Sequence, residues 1–345
     1  MHSKKEQNEP LHKVIILGAG ATRGASIFEN KGIKPPVDND FFSILEKLSC
    51  KRSTLKNWLK KLRACMGIPL NTESMESVFT KLETLANFLP QIKANKGPVI
   101  KRHTDLLDKY STQIAYCFNE IVKQLKNDNT ICSYHKAIVE SLSTKDCIIS
   151  FNYDCLIDIV LKSCGNKKWD ASSGYGYQIS ENVKDWHEHD GKKGKNAKKS
   201  IQLLKLHGSL NWKIQDKEIE LRAFHNRYET NDRNNLEIIP PVWNKNITKR
   251  EHFNEIWTKA RIALQKANTL VIIGYSLPDT DLLSQALLQV DTAKGAKNKI
   301  LKTLIIVNPD FNVRKKIIRI LNNSINSTTS ILEYRTIKEY SETLQ

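Results

Sequence analysis

The residues best suited to chemistry in this chain stand together in Asp146-Cys-Ile-Ile-Ser-Phe-Asn-Tyr-Asp154. Cys147 to Phe151 reads as a buried strand, rich in β-branched and apolar residues. It stops on Asn152, Tyr153 and Asp154, and an amphipathic segment with Leu156, Ile157, Ile159, Val160 and Leu161 on its apolar side comes at once after them. A carboxamide and a carboxylate are thus delivered to the C-terminal end of a strand, just before a helix. In open α/β sheets ligands bind outside those strand ends. Val14-Ile-Ile-Leu-Gly-Ala-Gly20 and Leu203-Leu-Lys-Leu-His-Gly-Ser209 end in the same manner, and Gly274-Tyr-Ser276 supplies a fourth tip. These tips are expected to converge on one nucleotide site.

Gly18-Ala19-Gly20, with Ala21 and Thr22 next in line, lies directly after a buried strand, where bare backbone lets a pyrophosphate approach. Arg23 takes the place of the third glycine of the dinucleotide pattern. No strand ending in Asp or Glu comes about 20 residues on, so a dehydrogenase-type half is not predicted. Instead comes Gly32-Ile-Lys-Pro-Pro-Val-Asp-Asn-Asp-Phe-Phe42, whose two prolines and Asp-Asn-Asp turn predict an ordered loop. That loop either folds over the phosphate loop or merely crosses the surface. His187-Glu-His189 invites a metal reading, but no other ligands stand at usable spacing, so an exposed charged turn is expected.

The elements that must position these residues repeat one unit: buried strand, polar tip, helix. Strands are predicted at 13–17, 147–151, 201–206, 236–239, 269–273, 302–307 and 331–334, with helices at about 156–162, 251–266, 282–290 and 313–321. The fold class is therefore α/β: a Rossmann-like doubly wound parallel sheet. Residues from about 41 to 142 carry no convincing strand and read as a large helical insertion, with helices near 41–48, 52–65, 72–89, 101–125 and 131–142. Asn71-Thr-Glu-Ser-Met-Glu supplies capping residues for one of them, and Gly97-Pro98 marks a break. Met66, Met75, Phe79, Phe88 and Phe118 read as packing residues. The division expected is a polar leader 1–12 and one domain 13–345, carrying the insertion and a polar, basic loop at about 165–200 with Trp169, Tyr175, Tyr177 and Trp186.

Composition narrows the classes. Apolar residues make up 40% of 345, enough for a sizeable core, and no apolar run approaches the roughly 18 residues of a membrane span. The first ten residues lack an apolar core, so no secretory signal is predicted. The seven cysteines, at 50, 65, 117, 132, 147, 155 and 164, are odd in number and contain no Cys-x-x-Cys pair. They point to a reducing, cytoplasmic compartment rather than a disulfide framework or zinc ribbon. A net charge of +17 attracts polyanions. Part of it lies in Gly191-Lys-Lys-Gly-Lys-Asn-Ala-Lys-Lys199, which has no aromatic interleaving and reads as a solvated loop rather than a nucleic-acid patch.

Taken together, Ser150-Phe-Asn-Tyr-Asp154, Leu206-His-Gly-Ser-Leu-Asn-Trp212, Ile272-Ile-Gly-Tyr-Ser-Leu-Pro-Asp-Thr-Asp281 and the Gly32–Phe42 loop resemble the sirtuin superfamily. The branch they resemble is the sirtuin-like domains of bacterial antiviral (antiphage) defence systems. The likeness spans roughly Val14 to Asp310. It implies that NAD+ is the substrate, with Gly18, Ala19 and Gly20 at its pyrophosphate and Ala21, Thr22, Asp40 and Phe41 beside them. Asn152 would position the nicotinamide ribose and a water, with Tyr153 and Asp154 adjoining, and His207 would be the catalytic histidine. Gly274, Tyr275 and Ser276 would bind phosphate and ribose, and Asn308 the adenosine ribose. Sirtuin deacylases carry a four-cysteine zinc module; this sequence has no such spacing, so no zinc is expected, and the likeness is to the branch that hydrolyses NAD+.

The chemistry suits the residues. Cleavage at the nicotinamide–ribose bond passes through an oxocarbenium-like state. The leaving group is already cationic, so no strong acid is required, whereas a carboxamide and a histidine near its working pH both help. Asp154 either orients that constellation or caps the next helix. Such an effector would abort infection by depleting NAD+, so it needs gating. The resemblance implies a homo-oligomer, and a protein partner such as a HerA-type ATPase or a phage-derived signal as activator. Alternatives are a non-catalytic sensor of NAD+ or ADP-ribose, a protein deacylase, and nucleic-acid binding through the basic surface.

Overall fold

The computed structural model describes residues 13–88, 98–125, 131–165, 168–177, 179, 200–215, 218–221, 224–225, 229–230, 236–239, 251–279, 281–289 and 301–345. The leader 1–12, the lysine run 192–199, Trp186, and His187 and His189 lie outside them. In chain order the strands are β1 (Lys13–Leu17), β2 (Cys147–Ser150), β3 (Gln202–Lys205), β4 (Gly208–Gln215), β5 (Glu218–Leu221), β6 (Phe224–His225), β7 (Glu229–Thr230), β8 (Leu236–Ile238), β9 (Thr269–Ile273), β10 (Thr303–Val307) and β11 (Ser330–Tyr334).

Val14, Ile15, Ile16 and Leu17 of β1 are buried on both faces, the near-continuous apolar run of a central parallel strand. Each such side chain, withdrawn from water, contributes about 1.5–3 kcal/mol. β1 pairs in parallel with β2 on one side, Val14 opposite Cys147, and with β9 on the other, Val14 opposite Leu270. The full order is β11-β10-β9-β1-β2-β3, every neighbour parallel. Strand order therefore reverses between β1 and β9, and a doubly wound sheet opens a ligand crevice at that switch point.

Two apolar clusters flank this frame. One is the sheet core; the other fills the helical insertion, from Phe41 and Leu59 to Phe79 and Ile121. The helix Leu156–Cys164 joins them, sending Ile157, Val160 and Leu161 into the first and Leu156 and Ile159 into the second. The insertion's helices are Phe41–Ser49, Ser53–Met66, Met75–Phe88, Pro98–Asp108, Tyr110–Val122 and Ser133–Glu140. The single helix expected over 101–125 is thus broken at Lys109. Ser74 Oγ accepts from the Ser77 amide at 3.1 Å, so the capping run does start the Met75–Phe88 helix.

Three expectations need correction. His207-Gly-Ser-Leu-Asn-Trp212 is not only a polar tip: the chain turns at Gly208 and continues as β4, which pairs antiparallel with β5 and β8 in a separate sheet. Within the stretch read as a polar loop, Trp169 and Tyr175 are core residues, packed edge to face at 5.4 Å. A short C-terminal helix, Ile337–Glu342, comes after β11 and was not expected.

Gly208 is required where it stands. Its φ is +78°, and a Cβ there would lie 2.1 Å from the Glu237 carbonyl oxygen. Gly208→Ala is expected to cost at least about 1–3 kcal/mol, the range for a non-glycine held left-handed, and more for the clash. Urea unfolding monitored by tryptophan fluorescence measures it.

Candidate functional site

The crevice at the switch point is a cavity of about 530 Å³, within the range of small-molecule sites. Its floor is the turns after β1 and β9, packed against each other. Gly18 N–H donates to Ile273 O at 2.9 Å, and Gly20 N–H to Gly274 O at 2.8 Å. Gly274 has φ +61°, and a Cβ on it would meet the Ala21 nitrogen at 2.2 Å. The glycines thus act first by letting two turns touch. Their amides are committed to that contact rather than held out to an anion.

Of the residues expected at the site, Ala19, Gly20, Thr22, Phe41, Asn152, Tyr153, Asp154, His207, Gly274, Tyr275, Ser276 and Asn308 line the cavity. Gly18 and Ala21 lie outside its lining, with Ala21 buried beneath it. Asp40 stands behind its wall, where it takes the Val37 amide at 2.8 Å and pairs with Arg23 at 2.7 Å. That pairing, and an Arg23 bond to Pro35 O at 2.9 Å, bind the Gly32–Phe42 loop to the turn after β1. Lys34, Pro36, Val37, Asp38 and Asn39 then line the cavity, so the loop folds over the glycines.

Asn152 is held by a short relay. Its Nδ2 donates to Gly18 O at 3.0 Å and to Thr22 Oγ1 at 3.1 Å. Thr22 Oγ1 donates onward to Asp154 Oδ2 at 2.8 Å, and Asp154 Oδ1 accepts the Leu156 amide at 3.0 Å. Asp154 therefore both takes the first amide of the helix, from the position before its N-cap Cys155, and, through Thr22, fixes the carboxamide. With the nitrogen occupied, the Asn152 carbonyl oxygen is the atom left to meet a ligand.

His207 stands two residues beyond β3. Its ring is wedged among aromatics: Phe151 edge-on at 5.3 Å, Tyr153 at 6.1 Å and Trp257 at 6.5 Å. Trp257 Nε1 donates to Leu206 O at 3.0 Å and Tyr153 Oη to Ile239 O at 2.8 Å, which fix two of those walls. Phe151 stacks flat on Tyr275 at 4.3 Å. Burial pushes the Tyr153 and Tyr275 phenols well above their usual range, with nearby Glu76 and Asp281 adding to it, so both stay neutral. At the far end Asn308 Nδ2 donates to Tyr275 O at 3.3 Å, and its Oδ1 accepts the Asp310 amide at 2.9 Å.

Several lining residues were not anticipated. Met75 and Glu76 from one inserted helix and Ile114 and Phe118 from another form the wall opposite the strand tips. Met75 and Phe118, expected to be packing residues only, are cavity residues. Asp38 accepts the Glu76 amide at 2.9 Å, and burial raises its pKa. Asp281, from the Pro-Asp-Thr-Asp run before a predicted helix, and Arg335 after β11 also face the cavity. Among the described residues no group of three or more His, Cys, Asp or Glu side chains is arranged to hold a metal ion, and no helix is long and apolar enough to cross a membrane.

The profile of one protein family, described as the SIR2-like domain, matches residues 146–326, just over half of the chain. The match covers the tips of β2, β3, β9 and β10 and leaves β1 and the insertion outside it. No curated protein matches the chain.

Proposed function

Because the chain belongs to the SIR2-like domain family, whose members use NAD+, we propose that it hydrolyses NAD+ to nicotinamide and ADP-ribose. The observation that carries this reading is the meeting of Asn152 and His207 on one cavity at the sheet's switch point. From the β2 tip to the β10 tip the cavity crosses three strand intervals, roughly 14 Å at the usual spacing. That length suits an extended dinucleotide. Arg23, Lys34 and Arg335 on its wall suit a pyrophosphate, and the aromatic group around Phe151 suits a flat pyridine ring.

In the reaction water's oxygen bonds to ribose C1′ as the C–N bond breaks, and the electron pair leaves on the pyridine nitrogen, cancelling its charge. His207 takes the proton from water and passes it to solvent. The Asn152 carbonyl holds the ribose and water in line; no strong acid is needed.

The resemblance to antiphage effectors supports gating by an activator or partner, and a role in depleting NAD+ in infected cells. The test is to incubate the protein with NAD+ alone, with an acyl-lysine peptide, and with extract from phage-infected cells. Nicotinamide and ADP-ribose should form in equal amounts, most with infected extract, and the peptide should stay intact. Deacylated peptide would move the protein to the deacylase branch. Tight ADP-ribose binding without turnover in any condition would make it a sensor.

Thr22→Val keeps the side chain's shape but removes the link between Asn152 and Asp154. Its turnover should fall by about tenfold, equivalent to about 1.4 kcal/mol and in the range of one typical hydrogen bond. Steady-state rates of nicotinamide release, alongside an unchanged melting profile within a few degrees, check it.

A further inference from the structure

The Pro278-Asp-Thr-Asp281 run has no part in the reaction as written, yet Asp281 lies inside the cavity wall. Its side chain is 3% exposed, and its Oδ2 lies 4.0 Å from His207 Nε2. We propose that Asp281 supports His207: its carboxylate, within ion-pair but not hydrogen-bond reach of Nε2, stabilises the imidazolium formed when that ring takes water's proton. The kinetic consequence rests on the glycohydrolase reading; the electrostatic one does not.

A plain helix cap does not account for this residue. Asp281 does cap the helix Leu282–Leu288, its Oδ1 accepting the Ser284 amide at 3.3 Å. Asp170 and Asp310 also cap helices, each through one oxygen, and neither is buried. Burying a carboxylate is costly unless it is compensated. At Asp281 the second oxygen is compensated by two hydroxyls: Oδ2 accepts Tyr275 Oη, from the cavity wall, at 3.0 Å and Ser284 Oγ, from the capped helix itself, at 2.6 Å. Both hydroxyls aim the carboxylate without neutralising it. The turn that brings it there includes Leu277, buried at φ +52°, a conformation unfavourable for any non-glycine residue. Strain of that kind persists where the surroundings require one arrangement.

The sign comes from the charge. A carboxylate near the ring favours the imidazolium and so raises the histidine's pKa. Among the described residues, Tyr153 packs on that ring and Tyr275 on Phe151, both with neutral phenols, and the Glu76 and Asp38 carboxyls act on Tyr153. β8 and the helix Glu251–Lys266 carry Glu237 and His252, bonded to each other at 2.9 Å. Trp257 and Phe151 bring no charge.

Asp281→Asn removes the charge while asparagine still caps. The test measures the His207 titration by NMR on histidine-labelled protein, and the pH profile of kcat/KM for NAD+ in wild type and variant. His207 must be neutral to accept a proton, so the acid limb should track its pKa. In Asp281→Asn the NMR titration and the acid limb should both move down by about one pH unit, with KM little changed. Ser284→Ala, which takes one donor from Oδ2 and keeps the amide cap, should move both upward, and serves if Asp281→Asn does not fold. A His207 titration that stays in place in both variants overturns the proposal. If wild type turns over no NAD+ while the NMR shift is found, the glycohydrolase reading fails and the Asp281–His207 coupling stands.

Discussion

NAD+ turnover is expected to fall by about 10²–10⁴-fold in His207→Ala, the contribution of a positioned general base, and by about 10²–10³-fold in Asn152→Ala, that of a preorganised polar group at the reacting centre. The two losses have different physical origins. In the proposed reaction His207 is the proton acceptor, and its ring already sits among Phe151, Tyr153 and Trp257. Truncation leaves a gap in that cluster, so shifted walls would add to the effect. His207→Gln fills most of the gap but accepts no proton, and should be as inactive as the alanine variant. Asn152 acts through geometry, since Gly18 O, Thr22 and Asp154 fix its amide in advance. Asn152→Asp keeps the shape but brings a carboxylate to a place where the Gly18 carbonyl needs a donor, and should be no better than alanine. Initial rates of nicotinamide release, with ADP-ribose binding and melting curves as controls, decide the matter. Near-wild-type turnover in folded His207→Ala would remove the histidine from the mechanism.

The frame and most of the site are legible in the sequence because parallel strands buried on both faces are written as unbroken apolar runs. β1, β9 and β10 carry such runs, and each ends on a polar tip. Asn152, His207, Gly274 and Asn308 stand at or just past the ends of apolar runs, which is what makes them visible. Of the β4–β5–β8 sheet only β8 is legible, as the strand at 236–239; β4 and β5 are not. Ser209 to Gln215 does alternate polar and apolar residues, but it starts directly after the His207-Gly208 tip and its polar positions Ser209 and Asn211 are fully buried, so it reads as a continuation of that tip rather than as a half-exposed strand. The cavity's far wall is hidden too, because which face of an inserted helix meets the site depends on how helices distant in sequence pack. Met75 and Phe118 look like any other core residue until that packing is known. Asp40 shows the limit of a loop's legibility: the turn is written in its prolines and acidic residues, but not which side chain faces inward. Asp38 and Phe41 face the cavity, while Asp40 turns back to Arg23. A further signal lies in two interruptions. Lys205 interrupts the apolar β3, and Asp158 interrupts the apolar helix at 156–164. Opposite charges at two buried positions point to each other.

Lys205→Met is accordingly expected to lose about 3–5 kcal/mol of stability, the usual result of leaving one member of a buried pair uncompensated. Both side chains are fully buried, with Lys205 Nζ 2.9 Å from Asp158 Oδ2. Nζ also donates to Asp154 O at 2.6 Å, and Tyr175 Oη donates to Asp158 Oδ1 at 2.6 Å. Burial pulls the lysine's pKa down, but Asp158, Cys155 and Asp154 outweigh it and hold it above the usual 10.5. A raised lysine pKa means that its stabilisation is fully present below pH 10.5 and is lost as pH rises through the higher folded value. The lysine's share of the deficit should thus shrink only in strong alkali, while the deficit of Lys205→Met should also ease toward acid pH, where the unpaired Asp158 carboxyl takes up a proton. Lys205→Met combined with Asp158→Leu should recover much of the loss, since a buried pair replaced by apolar groups is often near neutral. The remaining deficit of about 1–3 kcal/mol should trace to the Tyr175 hydroxyl left without its acceptor, and Tyr175→Phe should remove it. Urea unfolding of wild type and the single, double and triple variants measures each step. Because Nζ ties β3 to the Asp154 carbonyl, the bond spans the two strands that carry His207 and Asn152. A folded Lys205→Met protein should therefore also turn over NAD+ more slowly than its stability alone explains. A loss under about 1 kcal/mol, the size of an exposed pair, would mean that the charges are hydrated and that the two catalytic tips are held in register by apolar packing alone.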